Sequence, residues 1–137
     1  MHLNPFNPLD PLSNFAHLFV YGTLKDPAQV AAVVGAAVPV RVLGAGRVCG
    51  VLFDVGDYPA LRPSDAADDI VPGVVLEVDE AAFARLDAYE GVSDGLYVRE
   101  RCTVQMDDGR VSAAWVYIYN RPTHRLRRIA AWPPPRG

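Results

Sequence analysis

The sequence predicts an α+β fold built on a strongly bent or closed β-sheet. Six segments have the apolar or alternating pattern of β-strands, namely residues 17–21, 39–49, 51–55, 70–79, 96–106 and 110–119. Only two short segments, 27–34 and 80–90, are predicted as helices, and this balance is typical of an α+β fold. Gly44 and Gly46 lie inside a strand segment, where glycine indicates a bulge or bend, and such bends favour barrel-like curvature.

Both predicted helices carry terminal signals. Asp26 and Pro27 fit the N-cap and the first position of the first helix. Asp79 fits the N-cap of the second helix, and Gly91 fits its C-terminal end. Between the last two strands, residues 107–109 (Asp-Asp-Gly) predict a hairpin turn, because glycine accepts the positive φ that such turns need.

The chain divides into three parts by composition. Residues 1–16 contain three prolines and are expected to form an irregular arm. Residues 17–120 contain all the predicted strands and helices and form the domain proper. Residues 121–137 are an Arg- and Pro-rich tail. Pro-rich ends are candidate contacts of a homodimer, and the sequence leaves the oligomeric state open.

The composition describes a folded protein with one core. The chain has 137 residues, half of them hydrophobic, and a net charge of −3, so no basic field would recruit nucleic acid. Its longest apolar stretch, 31–40, is far shorter than the roughly 20 residues that span a bilayer. Residues 1–10 lack the features of a signal peptide, so we expect a cytoplasmic location and no membrane partner. Arginine outnumbers the single lysine, Lys25, which together with abundant alanine indicates a bacterial source.

The chain has two cysteines, Cys49 and Cys102, and both lie in apolar strand segments. We expect buried free thiols, because nothing else indicates a secreted disulfide framework. The three histidines are scattered along the chain. No Ser-His-Asp pattern and no metal-ligand spacing is evident, so no metal and no cofactor is expected.

Residues 18–25 (Leu-Phe-Val-Tyr-Gly-Thr-Leu-Lys) join the first strand to the first helix. Gly22 allows the backbone to turn tightly and to approach a ligand closely. The Thr23 hydroxyl and the free amides at the start of a helix can bind a carboxylate or phosphate. Tyr21 and Leu24 flank this candidate anion cradle. An ordinary strand–turn–helix connection accounts for the same residues.

Glu90 is the candidate catalytic residue. It shares one helix face with Phe83 and Leu86, at i, i+3 and i+7. Since the two apolar side chains must face the core, Glu90 points inward where the core gives way to a cleft. Partial loss of water there raises a carboxyl pKa and suits a general base. The alternative is a structural ion pair of Glu90 with Arg99 or Arg101.

Other polar residues on the late strands are secondary candidates. Tyr97, Tyr117 and Tyr119 line either a site or the packed core, and the sequence does not say which face of a barrel they occupy. Glu100 falls on the apolar face of its strand by strict alternation, which makes it a rival carboxylate of lower weight than Glu90.

Taken together, these segments resemble the γ-glutamylcyclotransferase-like superfamily, nearest to the AIG2-like branch that includes γ-glutamylamine cyclotransferases. The resemblance spans roughly residues 17–119 and rests on the order and spacing of six segments, 19–24, 50–61, 71–75, 86–91, 96–99 and 114–117. The family fold it implies is a small mixed, mostly antiparallel β-barrel with short flanking helices.

The resemblance also implies a reaction. The α-amine of a γ-glutamyl amine or amino acid attacks its own γ-carbonyl, giving 5-oxoproline and releasing the amine. Glu90 would be the general acid/base, and the small-molecule γ-glutamyl substrate would be bound by Tyr21, Gly22, Thr23, Leu24, Tyr97 and Tyr117. One alternative is the same chemistry on a larger amine in a biosynthetic pathway, and another is a non-catalytic small-molecule-binding or interaction module.

Overall fold

The structure is a computed structural model that describes residues 14–134. In chain order its elements are β1 (Phe15–Val20), α1 (Pro27–Val34), β2 (Val40–Asp54), β3 (Pro59–Pro63), β4 (Ile70–Asp79), α2 (Phe83–Tyr89), β5 (Tyr97–Met106), β6 (Val111–Tyr119) and β7 (Arg127–Ile129). Short 3-10 turns lie at Thr23–Lys25, Glu80–Ala82 and Val92–Asp94.

Five strands close into a barrel. The order around the ring is β2, β4, β1, β6 and β5, and β5 closes the ring by pairing with β2 at Gly46–Met106 and Arg47–Gln105. All these pairings are antiparallel except that of β1 with β6, which is parallel. The predicted α+β class, with a mixed, mostly antiparallel barrel and two short helices, is confirmed. The second half of β2 leaves the ring and pairs with β3 and β7.

The ring has an apolar cluster on each of its faces, because alternate residues of a strand point to opposite sides. On β1, Phe19 packs with Val75, Val104 and Val116 inside the barrel. The outer cluster lies between the barrel and the two helices, and its members include Leu18, Val20, Leu76, Val78, Val30, Val34, Phe83 and Leu86. Burial on both faces makes β1 nearly inaccessible over its second half, and this strand leads directly into residues 21–24.

Glycines stand where the strands of the ring cross closely, as predicted. The register of β2 against β4 shifts between Val42 and Gly44, and Gly44 has a φ of 150°. Gly46 pairs with Gly73 of β4. A Cβ on Gly73 would lie 2.4 Å from the Val20 carbonyl oxygen, so only glycine fits this approach of two backbones.

Three predicted boundaries were wrong. The break at Gly50 does not exist, because Gly50 pairs with Pro63 and its amide donates to the Asp69 carbonyl, so β2 runs on to Asp54. The first strand begins at Phe15, two residues before the predicted start and inside the predicted arm. The predicted helix 80–90 is a 3-10 turn followed by α2.

The predicted capping residues are found in the structure, although Asp79 caps the 3-10 turn that precedes α2 and not α2 itself. Asp26 accepts a hydrogen bond from the Ala28 amide at the start of α1, which spans Pro27–Val34 as predicted. Asp79 accepts one from Ala81 ahead of α2, and Gly91 follows α2 with a φ of +68°. At the hairpin, Gly109 has a φ of +93°.

Part of the Arg- and Pro-rich tail joins the sheet. The strand β7 pairs with β2, and Arg127 and Arg128 form ion pairs with Asp54 and Asp69. The Lys25 ammonium donates to the Trp132 carbonyl. Residues 1–13 of the predicted arm and residues 135–137 of the tail lie outside the described residues.

Of the prediction of two buried free thiols, the free state is confirmed and the full burial is wrong. Both cysteines are free, but Cys49 is exposed and Cys102 is only partly buried. Within residues 14–134, no helix is long and apolar enough to cross a membrane.

We predict that Gly73→Ala destabilises the fold by roughly 1–3 kcal/mol, because the added methyl group overlaps the Val20 carbonyl and the Phe19 ring. Urea unfolding would measure the loss. Thr103→Ala, at an exposed position of β5, serves as the control and should change stability by no more than about 0.5 kcal/mol. Equal effects of the two substitutions would contradict the close approach of β1 and β4.

Candidate functional site

A cleft of about 340 Å³ opens where β1 ends. Its wall includes every site residue predicted from the sequence, which are Tyr21, Gly22, Thr23, Leu24, Glu90, Tyr97 and Tyr117. The remaining lining residues are Phe19, Val20, Asp57, Tyr58, Pro59, Tyr89 and Leu96. Segments far apart in the sequence, from the end of β1, the β2–β3 turn, the end of α2 and two late strands, therefore meet around one space.

Glu90 follows the last residue of α2 and forms its C-cap. Phe83 and Leu86, on the same helix face, are buried in the outer cluster, as the periodicity predicted. This anchoring holds the Glu90 carboxyl in the partly dehydrated cleft. Burial raises the pKa of Glu90 to about 7, because the charged form loses water that the protein does not replace.

The alternative ion pair of Glu90 is not formed. Arg99 instead pairs with Asp87, whose Oδ1 lies 3.0 Å from the arginine Nε. The guanidinium of Arg101 lies 5.0 Å from the centre of the Trp115 ring. Among residues 14–134, no basic side chain lies within 4.0 Å of the Glu90 carboxylate, so its charge in the cleft has no counter-ion from this part of the chain.

After β1 the chain makes a tight turn. The first backbone N–H groups of this turn have no hydrogen-bond acceptor within it. The Lys25 amide donates to the Gly22 carbonyl at 3.0 Å, and the turn then leads into α1. In such a turn the first amides, here those of Thr23 and Leu24, have no partner inside it. Gly22 lies against Pro59, and a Cβ there would be 2.8 Å from the proline Cγ.

The Thr23 hydroxyl is engaged by a residue that the sequence did not single out. Its Oγ1 lies 2.9 Å from the Tyr89 hydroxyl, which also accepts a hydrogen bond from Gln29. This contact ties the turn to the end of α2 at the rim of the cleft. Thr23 therefore fixes the turn relative to the helix that carries Glu90.

Three tyrosine hydroxyls of the cleft wall donate into the protein. Tyr97 donates to the Pro59 carbonyl, Tyr21 donates to the Tyr117 carbonyl, and Tyr117 donates to Asp87 Oδ1 at 2.7 Å. Burial is the first cause that raises the pKa of all three, and the charge of Glu90 contributes in each case. All three tyrosines line the same cleft as Glu90.

Two of the secondary candidates do not line the cleft. Tyr119 is buried in the outer cluster with its ring centre 5.5 Å from that of Tyr97. Glu100 is exposed, because the apolar face of β5 reaches solvent at this position, and it is not a cleft residue.

Sequence reasoning did not assign to the site the residues of the turn between β2 and β3, or Asp87 and Tyr89 at the end of α2. The signals for the turn were present, since residues 56–57 mark it and residues 58–59 fall within a segment of the resemblance. Asp87 gave no signal of its own, because its role depends on Tyr117 and Arg99, which lie 30 and 12 residues away.

Within the described part of the chain, no group of three or more His, Cys, Asp or Glu side chains could hold a metal ion.

Fold and site together define a small closed-barrel protein in which one carboxylate of raised pKa, Glu90, lines a cleft together with a glycine turn. A model of the AIG2-like γ-glutamyl cyclotransferase family matches residues 18–133. The chain belongs to this family.

Relatives and solved structures agree with that assignment. The γ-glutamylcyclotransferase family protein YtfP of Escherichia coli K12 is 35% identical over 78 residues, which are 57% of this chain and 61% of that protein. The match thus spans about three fifths of the length of this curated relative.

The fold is similar to solved structures over most of the chain. An AIG2-like protein from Mus musculus matches with a TM-score of 0.73 and 25% identity, covering 87% of this chain and 88% of that one. A γ-glutamyl cyclotransferase matches with a TM-score of 0.68 and 17% identity, covering 83% and 69%, which is a likeness of fold.

We predict that Glu90→Gln gains stability over the wild type as the pH rises. Below the ordinary Glu pKa of 4.5 the carboxyl is protonated in both states, so the wild type carries no penalty. Between 4.5 and about 7 the folded state holds a proton that the unfolded state has lost, so wild-type stability falls with rising pH. The difference in unfolding free energy between variant and wild type should therefore grow by about 3 kcal/mol from about pH 4 to about pH 8.

Urea unfolding at the two pH values measures this difference. Glu100→Gln removes an exposed carboxylate of the same charge and should show no such pH dependence. The same difference for Glu90→Gln at both pH values would mean that its carboxyl is hydrated in the folded state.

Proposed function

We propose that this protein is a γ-glutamyl cyclotransferase that converts a γ-glutamyl amine or amino acid to 5-oxoproline and releases the amine. The observation that carries the proposal is the Glu90 carboxyl, which has a pKa of about 7, has no basic partner among residues 14–134 and lines the same cleft as the turn at residues 21–24. Family membership supports the reaction type.

In this reaction the substrate supplies its own nucleophile. The α-nitrogen forms a bond to the γ-carbonyl carbon, and the bond from that carbon to the leaving nitrogen breaks. The enzyme has to bend the substrate into the attack geometry, take one proton from the α-ammonium before the attack and give one to the leaving nitrogen. The attacking nitrogen loses its second proton as the ring amide forms, and the released amine takes up a second proton to become an ammonium ion. Holding the two reacting groups in place is worth up to about 7–11 kcal/mol of barrier in ideal intramolecular systems.

Glu90 is suited to both proton steps. A base works best when its pKa is close to the working pH, because it is then available as a base and strong enough to take the proton. A carboxyl with a pKa of about 7 meets this condition, whereas an ordinary glutamate would be a weaker base. After it accepts the α-ammonium proton, the neutral carboxyl is the acid that protonates the leaving amine.

The turn at residues 21–24 is suited to the anionic parts of the substrate. Amides without a partner inside the turn, on Thr23 and Leu24, can donate to the substrate carboxylate or to the oxyanion that forms at the γ-carbon. Pro59 supports the turn from behind through Gly22. The hydrogen bond between Thr23 and Tyr89 links the turn to the last residue of α2, which directly precedes Glu90.

Release of 5-oxoproline from a panel of γ-glutamyl amines and γ-glutamyl amino acids tests the proposal. We expect the wild type to release it and Glu90→Gln to lose roughly 10²- to 10⁴-fold in kcat/KM, because the amide cannot exchange a proton. With the wild type, kcat/KM should rise with pH through about 7, as the Glu90 carboxyl loses its proton.

Glu100→Gln is the matched control and should keep wild-type activity. A folded wild type that releases no 5-oxoproline from any member of the panel would point instead to a larger amine as substrate or to a non-catalytic binding module. Full activity of Glu90→Gln would remove Glu90 from the mechanism.

We also predict that Gly22→Ala loses about a hundredfold in activity, because the added methyl group must displace Pro59 and with it the turn. Gly50→Ala is the control. It introduces a comparable contact, 2.7 Å from Leu61 Cδ1, at a position that does not line the cleft. Thermal unfolding should show similar destabilisation of the two variants, while only Gly22→Ala loses turnover. Parallel loss of activity in both would attribute the effect to folding.

A further inference from the structure

The Tyr117 hydroxyl is held by a carboxylate that takes no part in the proposed proton transfers. It donates to Asp87 Oδ1 at 2.7 Å. Asp87 also accepts from Arg99, at 3.0 Å from Nε and 3.4 Å from Nη2. The arginine is fixed in turn, because its guanidinium carbon lies 4.1 Å from the centre of the Phe83 ring and 4.6 Å from that of Trp115. Asp87 is thus a rigidly placed acceptor.

The bond to Asp87 determines how the Tyr117 hydroxyl can act toward a ligand. A carboxylate accepts hydrogen bonds and donates none, so the tyrosine proton lies between the two oxygens. The hydroxyl then has only lone pairs to offer to the cleft. Tyr117 lines the cleft together with Glu90, and its partner Asp87 lies in the last turn of α2, which ends at Glu90.

The other polar groups of the wall are mostly acceptors too. Tyr21 and Tyr97 also donate their protons to backbone carbonyls, and Glu90 and Asp57 contribute carboxylates. Among the described residues that line the cleft there is no lysine, arginine or histidine. A wall of oxygen acceptors and aromatic rings suits a cationic ammonium group.

We propose that Asp87 is a positioning residue, which accepts the Tyr117 proton and thereby presents the Tyr117 oxygen to the α-ammonium group of the substrate beside Glu90. The identity of the substrate in this proposal rests on the proposed function. The Tyr117 oxygen receives the ammonium group before proton transfer and orients its nitrogen toward Glu90. Asp87 itself acts only through Tyr117.

Binding of L-glutamate and of glutarate tests this role, because the two ligands differ only in the ammonium group. Calorimetry gives the ratio of their dissociation constants, which we expect to favour L-glutamate in the wild type. Tyr117→Phe should lower this preference by roughly tenfold to a hundredfold, as expected for a lost hydrogen bond to a charged group, with glutarate binding unchanged. Tyr119→Phe is the matched control, since Tyr119 lies on the same strand face but outside the cleft lining, and it should keep the wild-type preference.

Three further variants separate positioning from a structural ion pair. Asp87→Ala frees the Tyr117 proton to turn into the cleft and should lower the preference as Tyr117→Phe does. Asp87→Asn should keep most of it, because an amide oxygen at the place of Oδ1 still accepts from both Tyr117 and Arg99. Arg99→Met removes the ion pair but leaves the acceptor, so it should also keep the preference. Circular dichroism checks that each variant is folded.

A structural ion pair predicts the opposite pattern, in which Asp87→Asn and Arg99→Met lose as much as Asp87→Ala. That pattern overturns the proposal, and so does a folded wild type with no preference for L-glutamate, including one that binds neither ligand. Failure of the proposed function would look different. If no 5-oxoproline is released but the preference depends on Tyr117 and Asp87 as described, the positioning role stands and the cyclotransferase reaction does not.

Discussion

Burial of the barrel wall on both faces is the constraint on which the rest of the structure depends. A closed ring of five strands fills its interior with one set of alternate residues, and the other set is left facing outward. On β1, on the second half of β4 and at the end of β6 these outward residues are apolar, so they require a cover, and α1 and α2 provide it. The packing of the helices on the apolar outer face of the sheet thus stabilises both the helices and the sheet.

The site follows from this cover. Since α2 must lay Phe83 and Leu86 on the barrel, the residue one turn further along the same face, Glu90, is carried to the edge of the covered surface. There it loses water without gaining a counter-ion from residues 14–134. The raised pKa of Glu90 is therefore a consequence of how the outer core is packed. An unpaired carboxylate in such a place lowers stability at neutral pH, which is a pattern typical of functional sites.

The parts of this arrangement that could be predicted from sequence are those encoded locally. Alternation gives the strands, and a spacing of three and four residues places Glu90 with Phe83 and Leu86. Capping chemistry places the ends of α1. The parts that could not be predicted depend on contacts between distant segments. Gly50 is compatible with a strand end or with a continuous strand, and only pairing with Pro63 decides between them.

The same limit applies to the cleft wall. Nothing in the sequence near Tyr97 says that it lies outside the barrel, because polar residues occur on both faces of β5, Arg99 on the face of Tyr97 and Glu100 on the other. Its position is set when the hydroxyl donates to Pro59, 38 residues earlier in the chain. Asp57 and Tyr89 also line the cleft because of contacts between distant segments. They lie on a turn and at a helix end whose positions depend on the whole ring.

The competition for Arg99 decides which of two acidic residues remains reactive. Asp87 and Glu90 are three residues apart at the end of α2, so each could reach a basic side chain on the facing strand β5. Arg99 is clamped between Phe83 and Trp115, and in that position its Nε and Nη2 face Asp87. Asp87 therefore has fixed partners and supports the wall. Glu90 has no basic partner among residues 14–134, and its burial alone determines its protonation. Two carboxyl groups on one helix turn therefore have different roles because their surroundings differ.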